Sequence, residues 1–225
     1  MEFSQDGQAA VAVDLLVFTI DDDRLKVLTV RRQYEPFAGM RALPGVFIRP
    51  DESLDEAARR GLREETGLEG IYFEQLYTWG APDRDPRRRV LSVSYMALVD
   101  IAQLRGAAAG LRTTETRLWD VQELLTADDI AFDHKKIIAY GRERLANKVE
   151  YTTIAFSLVP EEFTLPQLQR VYEILLGKPL YKANFRKKLA PLVEETDRST
   201  SGDAHRPSKF YRLRAPQLSR DDTPQ

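Results

Sequence analysis

The sequence predicts an α+β chain, with an N-terminal α/β/α sandwich followed by a C-terminal winged helix-turn-helix. Three observations predict it. Strand-like stretches flank a single acidic amphipathic helix over residues 53–66, and a helix, a Gly-Lys-Pro break, a basic helix and two strand-like segments succeed one another over residues 164–214. The charge is also uneven. Residues 165–215 hold 11 Lys and Arg against 5 Asp and Glu, a net +6, although the whole chain carries −2. A basic segment on an acidic body points to a polyanionic partner for that segment alone.

The elements follow in order. Residues 10–20, AVAVDLLVFTI, read as a strand, DDDR as a turn and residues 25–33 as the returning strand of a hairpin. The helix near 53–66 has Asp51 or Ser53 as its N-cap. Residues 71–79 and 90–100 alternate like strands around a charged loop, PDRDPRRR. Residues 113–119 form a further strand and 121–125 a short helix. Residues 133–148 are helical, with Gly141 a mild interruption. Thr164 caps the helix that ends at Gly177. The basic helix carries Phe185, Leu189 and Leu192 on one face, and PLVEET and KFYRLR form the wing. The expected organisation is a sandwich over residues 1–132, a connecting helix over 133–150, a winged helix over 151–214 and a disordered tail over 215–225.

Composition narrows the function. With 225 residues, 43% hydrophobic and 30% charged, the chain is that of a soluble globular protein. Its apolar runs are far short of a membrane span and its acidic start lacks the basic region of a secretory signal, so a cytoplasmic location and no membrane partner are expected. Having no cysteine, it has no disulfide and no thiolate metal site. His134 and His205 are too few and too far apart for zinc and take surface or hydrogen-bonded structural roles.

Residues 44–68, PGVFIRPDESLDEAARRGLREETGL, carry the chemistry. They resemble a Nudix box, G-x5-E-x7-R-E-U-x-E-E-x-G-U, in which U is a bulky aliphatic residue. Glu64-Glu65-Thr66-Gly67-Leu68 sets the register, Leu62 fills an aliphatic slot, Arg60 is the arginine and Glu52 the upstream glutamate. Two positions depart: Gly61 stands where the glutamate after the arginine belongs, and Val46 where the first glycine belongs. Nudix hydrolysis needs Mg2+ to bridge and polarise a diphosphate, and Mg2+ needs hard oxygen ligands. Carboxylates at positions 61, 64 and 65 would share one helix face at i, i+3 and i+4. With Gly61, one is missing. Glu64 and Glu65 hold Mg2+ weakly if at all, no cofactor is required, and hydrolysis is expected to be weak or absent. Gly61→Glu is expected to create or raise Mg2+-dependent activity. Read blandly, the same residues are a solvated amphipathic helix with Leu54, Ala58 and Leu62 as its core stripe.

The second helix of a winged helix-turn-helix enters the major groove. Lys182, Lys187 and Lys188 are expected to neutralise phosphates, Asn184 and Arg186 to reach base edges, and Arg206, Lys209 and Arg212 to lie on or near the wing. Loss of Lys187 or Lys188 should shrink the salt dependence of DNA binding.

The series ALPGVFI at 42–48, LYTWGAPDRDPRRRVLSVSY at 76–95, AFDHKKII at 131–138, FTLPQLQRVYEILLGKPLYKANFRKKL at 163–189 and RPSKFYRLR at 206–214 resembles the Nudix-related transcriptional regulators, the NrtR-like family. The resemblance covers about residues 8–214. It implies a repressor of NAD metabolism or sugar catabolism, working as a homodimer on double-stranded operator DNA. Such a dimer reads a pseudo-palindrome with half-sites one or two helical turns apart. ADP-ribose, bound in the former Nudix pocket, would reorient the winged helices. Matching motifs place Arg32, Arg41, Tyr77, Arg84 and Arg87 in that pocket, although Arg84 and Arg87 also suit a solvated hairpin tip or one lent to the partner subunit. Val46 narrows the space near the ligand, which makes a sugar or another nucleotide the alternative effector to ADP-ribose. The competing function is a hydrolase of ADP-ribose-like nucleotides.

Overall fold

The longest strand organises the molecule. In the computed structural model, which describes residues 9–108, 116–200 and 207–214, β1 (Ala10–Asp21) lies in the middle of a mixed sheet. It runs parallel to β6 (Val90–Leu98) and antiparallel to β2 (Arg24–Arg31) and β4 (Gly45–Phe47). Two further strands, β3 (Arg41–Ala42) and β7 (Thr116–Asp120), pair with β2, while β5 (Tyr72–Trp79) pairs with β6 at the sheet's edge.

Side chains alternate across a strand, so β1 feeds two cores. Val13, Leu15 and Val17 pack with Ala57, Ala58 and Leu62 of α1 (Leu54–Thr66) and Leu104 of α2 (Ile101–Ala108). Leu16 and Phe18 pack on the opposite face with Val121 and Leu124 of α3 (Val121–Thr126) and Ile137, Ile138 and Leu145 of α4 (His134–Lys148). All five β1 side chains are fully buried, which requires cover on both faces and yields the expected α/β/α sandwich.

Local chemistry sets the helix ends. Ser53 and Glu56 form a reciprocal capping box at the start of α1, and Gly67, at φ +70°, closes it in the left-handed conformation. Gly141 turns out to be more than an interruption. A Cβ there would lie 2.0 Å from Leu16 Cδ2, so the missing side chain is what lets α4 lie against β1. Gly141→Ala gains about 1 kcal/mol of helix propensity but overpacks the core by on the order of 1–3 kcal/mol. The melting temperature is expected to fall; a rise would show that Leu16 yields freely.

The C-terminal part begins with a 3-10 turn at Ile154–Leu158. It continues through β8 (Phe163–Thr164), α5 (Leu165–Leu176), α6 (Lys182–Leu189), β9 (Val193–Ser199) and β10 (Lys209–Leu213), with the strands ordered β8-β10-β9. This is a winged helix. Thr164 and Gln167 form its capping box and Gly177, at φ +66°, ends α5. Its core of Phe163, Leu168, Val171, Tyr172, Phe185 and Leu189 is continuous through Ile154 and Val149 with the α4 face of the sandwich. Arg170 of α5 also pairs with Asp23, between β1 and β2, at 3.0 Å.

Several elements differ from the sequence pattern. Strand β6 stops at Leu98 and α2 follows, where no helix was expected. The short strands β3, β4 and β8 hold too few residues to show a period. The predicted strand over 113–119 is described only from Thr116, and Arg206, His205 and the tail over 215–225 lie outside the described residues. Among the described residues, no helix is long and apolar enough to cross a membrane.

Candidate functional site

The Nudix-like segment folds around an internal clamp. Arg60 donates to Glu52 from Nε at 3.0 Å and Nη2 at 2.5 Å, and Nη2 also reaches the Phe47 carbonyl at 3.1 Å. The guanidinium holds the Glu52 carboxyl down at about 2. These two residues therefore fasten α1 to β4. Glu64 is half exposed, with a 3.5 Å contact to Arg60. Glu65 faces a cleft, and its carboxyl is raised above the usual range by burial and then by Glu64.

The two departures from the motif meet in space. A Cβ on Gly61 would lie 2.8 Å from Leu15 Cδ1 and 3.4 Å from both methyls of Val46. Val46 and Leu15 thus wall in the region that a carboxylate at position 61 would enter. The donor set does not fit a Mg2+ site: Glu52 is consumed by Arg60, Glu64 and Glu65 lack a third carboxylate, and no group of three His, Cys, Asp or Glu among the described residues is placed to hold a metal. Gly61→Glu alone therefore requires Leu15 Cδ1 to shift, while the Val46 methyls already stand at contact distance.

Beside α1 lies a cleft of about 170 Å3, whose lining includes Arg32, Arg84, Arg87, Val46, Glu65 and Phe132. Arg32 of the loop after β2 donates from Nε to the Pro36 carbonyl at 2.8 Å and lies over the Phe132 ring at 4.6 Å. Burial and then the charge of Arg87 push its pKa down. With no carboxylate in ion-pair contact with it among the described residues, Arg32 would be relieved by an entering anion. Arg87 lies 5.9 Å from the same ring and is paired with Asp85 at 2.7 Å. Phe132 and Phe37 stack edge to face at 4.9 Å, and both have left-handed backbones, at φ +56° and +67°. Bulky residues seldom accept that conformation, and such strain concentrates at binding sites.

Arg84 forms part of the cleft's floor. It is buried and donates to Asp133 from Nε at 3.1 Å and Nη2 at 2.8 Å, and to Asp14 at 3.0 Å. The solvated-tip reading therefore fails for Arg84. Asp14 also accepts from Ser92 Oγ at 2.6 Å, and the pairing of Asp14 with Gly45 leaves no room for a Cβ on that glycine, which would meet Asp14 Oδ1 at 2.8 Å. His134 Nδ1 accepts the Leu43 N–H at 2.8 Å, a buried structural role, and burial lowers its pKa.

Two of the five expected pocket residues lie elsewhere. Arg41 pairs with Asp129 and stacks on Trp119 at 4.3 Å, because β3 lies beside the segment leading to α4. Tyr77, on edge strand β5, joins Trp79 and Tyr140 in an exposed aromatic cluster outside the cleft lining. Asp14, Phe132 and the Arg84 partner Asp133 also belong to the site; Phe132 and Asp133 fall in the segment AFDHKKII, but nothing in that segment alone assigned them to the pocket. Asp14 had a signal, being the one charged residue within the apolar run AVAVDLLVFTI.

On the winged helix, Lys182, Asn184, Arg186 and Lys187 are exposed on α6. Lys188 is exposed as well, and it also donates to the Glu150 carbonyl at 2.8 Å and lies over the Tyr172 ring, which fastens α6 to the end of α4. Lys209 and Arg212 pair with Glu195 and Glu194 across the wing, which cancels much of the positive charge expected there.

A Nudix-type sandwich joined to a winged helix defines a class of ligand-responsive DNA-binding regulators. Residues 10–141 match the NUDIX domain model and residues 155–213 the NrtR DNA-binding winged helix domain model. An ADPR responsive transcriptional repressor of Acinetobacter baylyi is 36% identical over 207 residues, covering 90% of this chain and 81% of the relative. The crystal structure of Shewanella oneidensis NrtR complexed with a 27mer DNA is 37% identical, with a TM-score of 0.82, and covers 91% of this chain and 93% of that one. The cocrystal structure of the NUDIX domain of Shewanella oneidensis NrtR complexed with ADP ribose is 36% identical, with a TM-score of 0.53, and covers 61% and 89%. The chain belongs to the NrtR family of Nudix-related transcriptional regulators.

Proposed function

We propose that this chain is a cytoplasmic, homodimeric DNA-binding repressor, released from its operator by ADP-ribose or a closely related nucleotide. One observation carries the reading. A cleft lined by Arg32, Arg84 and Arg87 lies beside a face that does not fit catalytic Mg2+, in a chain whose α6 presents exposed cations. Arginine's planar fork suits a diphosphate, and Phe132 in the lining offers a ring for a base or sugar. The ADPR responsive repressor of Acinetobacter baylyi, and the solved complexes of a family member with DNA and with ADP ribose, support the same assignment. DNA release then requires that ADP-ribose bind the DNA-free arrangement more tightly than the DNA-bound one.

In this reading Arg32 contacts the diphosphate. Arg32→Ala is expected to weaken ADP-ribose binding by roughly tenfold or more, since a hydrogen bond to a charged group contributes about 1.5–3 kcal/mol. Calorimetric titration measures it. An unchanged affinity would place the diphosphate elsewhere.

A further inference from the structure

Asp133 occupies a position with two possible partners. It is the N-cap residue of α4, yet its side chain makes no capping bond. Aspartate is among the preferred N-caps because its carboxylate accepts the backbone N–H two or three residues on. Here both carboxylate oxygens are taken by Arg84, at 2.8 and 3.1 Å. The Asp133 backbone, at φ −93° and ψ 16°, is also not in the extended region usual for a cap.

Building on the function proposed above, we infer that Asp133 is the switch between the cleft and the DNA-binding helix, exchanging between the Arg84 fork and the N-terminus of α4. Arg84 faces the cleft together with Arg32 and Arg87, so a bound diphosphate competes with Asp133 for the same guanidinium. A released Asp133 carboxylate takes the capping position, and its backbone moves toward the extended region to do so. That movement re-aims the chain as it enters α4.

Physical connections carry the change onward. Helix α4 is a 15-residue rod whose Ile137, Ile138 and Leu145 are buried in the shared core. Beyond its end, Val149 lies in the core that includes α5, and the Glu150 carbonyl accepts Lys188 of α6 at 2.8 Å. The two arrangements of Asp133 supply the discrete states that coupling requires.

The test compares the full-length wild type with Asp133→Asn, which caps but cannot form the ion pair, and Asp133→Ala, which does neither. The probes are ADP-ribose and a duplex that the wild type enriches from a random pool. Both variants are expected to bind ADP-ribose more tightly than the wild type, because Arg84 no longer has Asp133 to give up; merely damaged packing would not tighten binding. Asp133→Asn should also lower duplex affinity about tenfold without ligand and leave ADP-ribose little further effect. Asp133→Ala should retain more duplex affinity than Asp133→Asn. A wild type that responds to ADP-ribose beside an Asp133→Asn variant that responds identically overturns the switch alone. A wild type that binds the duplex but ignores ADP-ribose overturns the effector reading and the switch with it.

Discussion

Val46→Gly combined with Gly61→Glu is expected to give Mg2+-dependent cleavage of ADP-ribose to AMP and ribose 5-phosphate, whereas Gly61→Glu alone is expected to give a destabilised protein with none. The single substitution brings a Cβ to 2.8 Å from Cδ1 of fully buried Leu15 and to 3.4 Å from both Val46 methyls. Forcing Leu15 aside overpacks the core by on the order of 1–3 kcal/mol. Removing the valine methyls opens space into which Leu15 Cδ1 can retreat, and the new carboxylate then stands at i, i+3 and i+4 with Glu64 and Glu65. Product formation with and without Mg2+ reads the outcome. A folded double variant with no activity would mean that position 61 is not the lost ligand position. Activity in the single variant would mean that Val46 is no obstacle.

The second large effect lies on α6. Lys182→Ala with Lys187→Ala is expected to weaken DNA binding roughly a hundredfold and to reduce the salt slope by about two units, because each cation taken away from a phosphate lowers the slope by about one. Both side chains are exposed, with no ion-pair partner among the described residues. Lys209→Ala, by contrast, removes a cation already paired with Glu195 and should barely change the slope. Lys188→Ala should act through loss of its bond to Glu150 rather than through charge. Equal slope changes for Lys209 and Lys187 would mean that the wing pairs open on DNA and contribute as fully as α6.

The fold was legible because its strongest signals are local. The Ser53 and Thr164 caps, the terminal glycines Gly67 and Gly177 and the near-continuous apolar run of β1 each announce themselves within a few residues. The cleft was legible only in part. Arg32, Arg84 and Arg87 could be placed by motif, but what they meet depends on residues distant in sequence. Arg84 is 70 residues from Asp14 and 49 from Asp133, and Arg41 is 88 from Asp129. Nothing local distinguishes an arginine bound to a distant carboxylate from one waiting for a ligand. The relation between Val46 and Gly61 is of the same kind, since two separate departures from a pattern become one feature only when the strand is laid against the helix. Gly141 likewise reads as a weak point in a helix until Leu16 is placed beneath it.

The central claim is that one chain joins an ADP-ribose site to a DNA site and couples them. It is tested most directly by a mobility shift on the DNA upstream of the chain's own operon and on a duplex enriched from a random pool, titrated with ADP-ribose in the presence of Mg2+. The expected result is a complex that forms without ligand and is lost as ADP-ribose rises, with ADP-ribose recovered uncleaved. A complex that persists at every ADP-ribose concentration, or ADP-ribose recovered as AMP and ribose 5-phosphate, would contradict it.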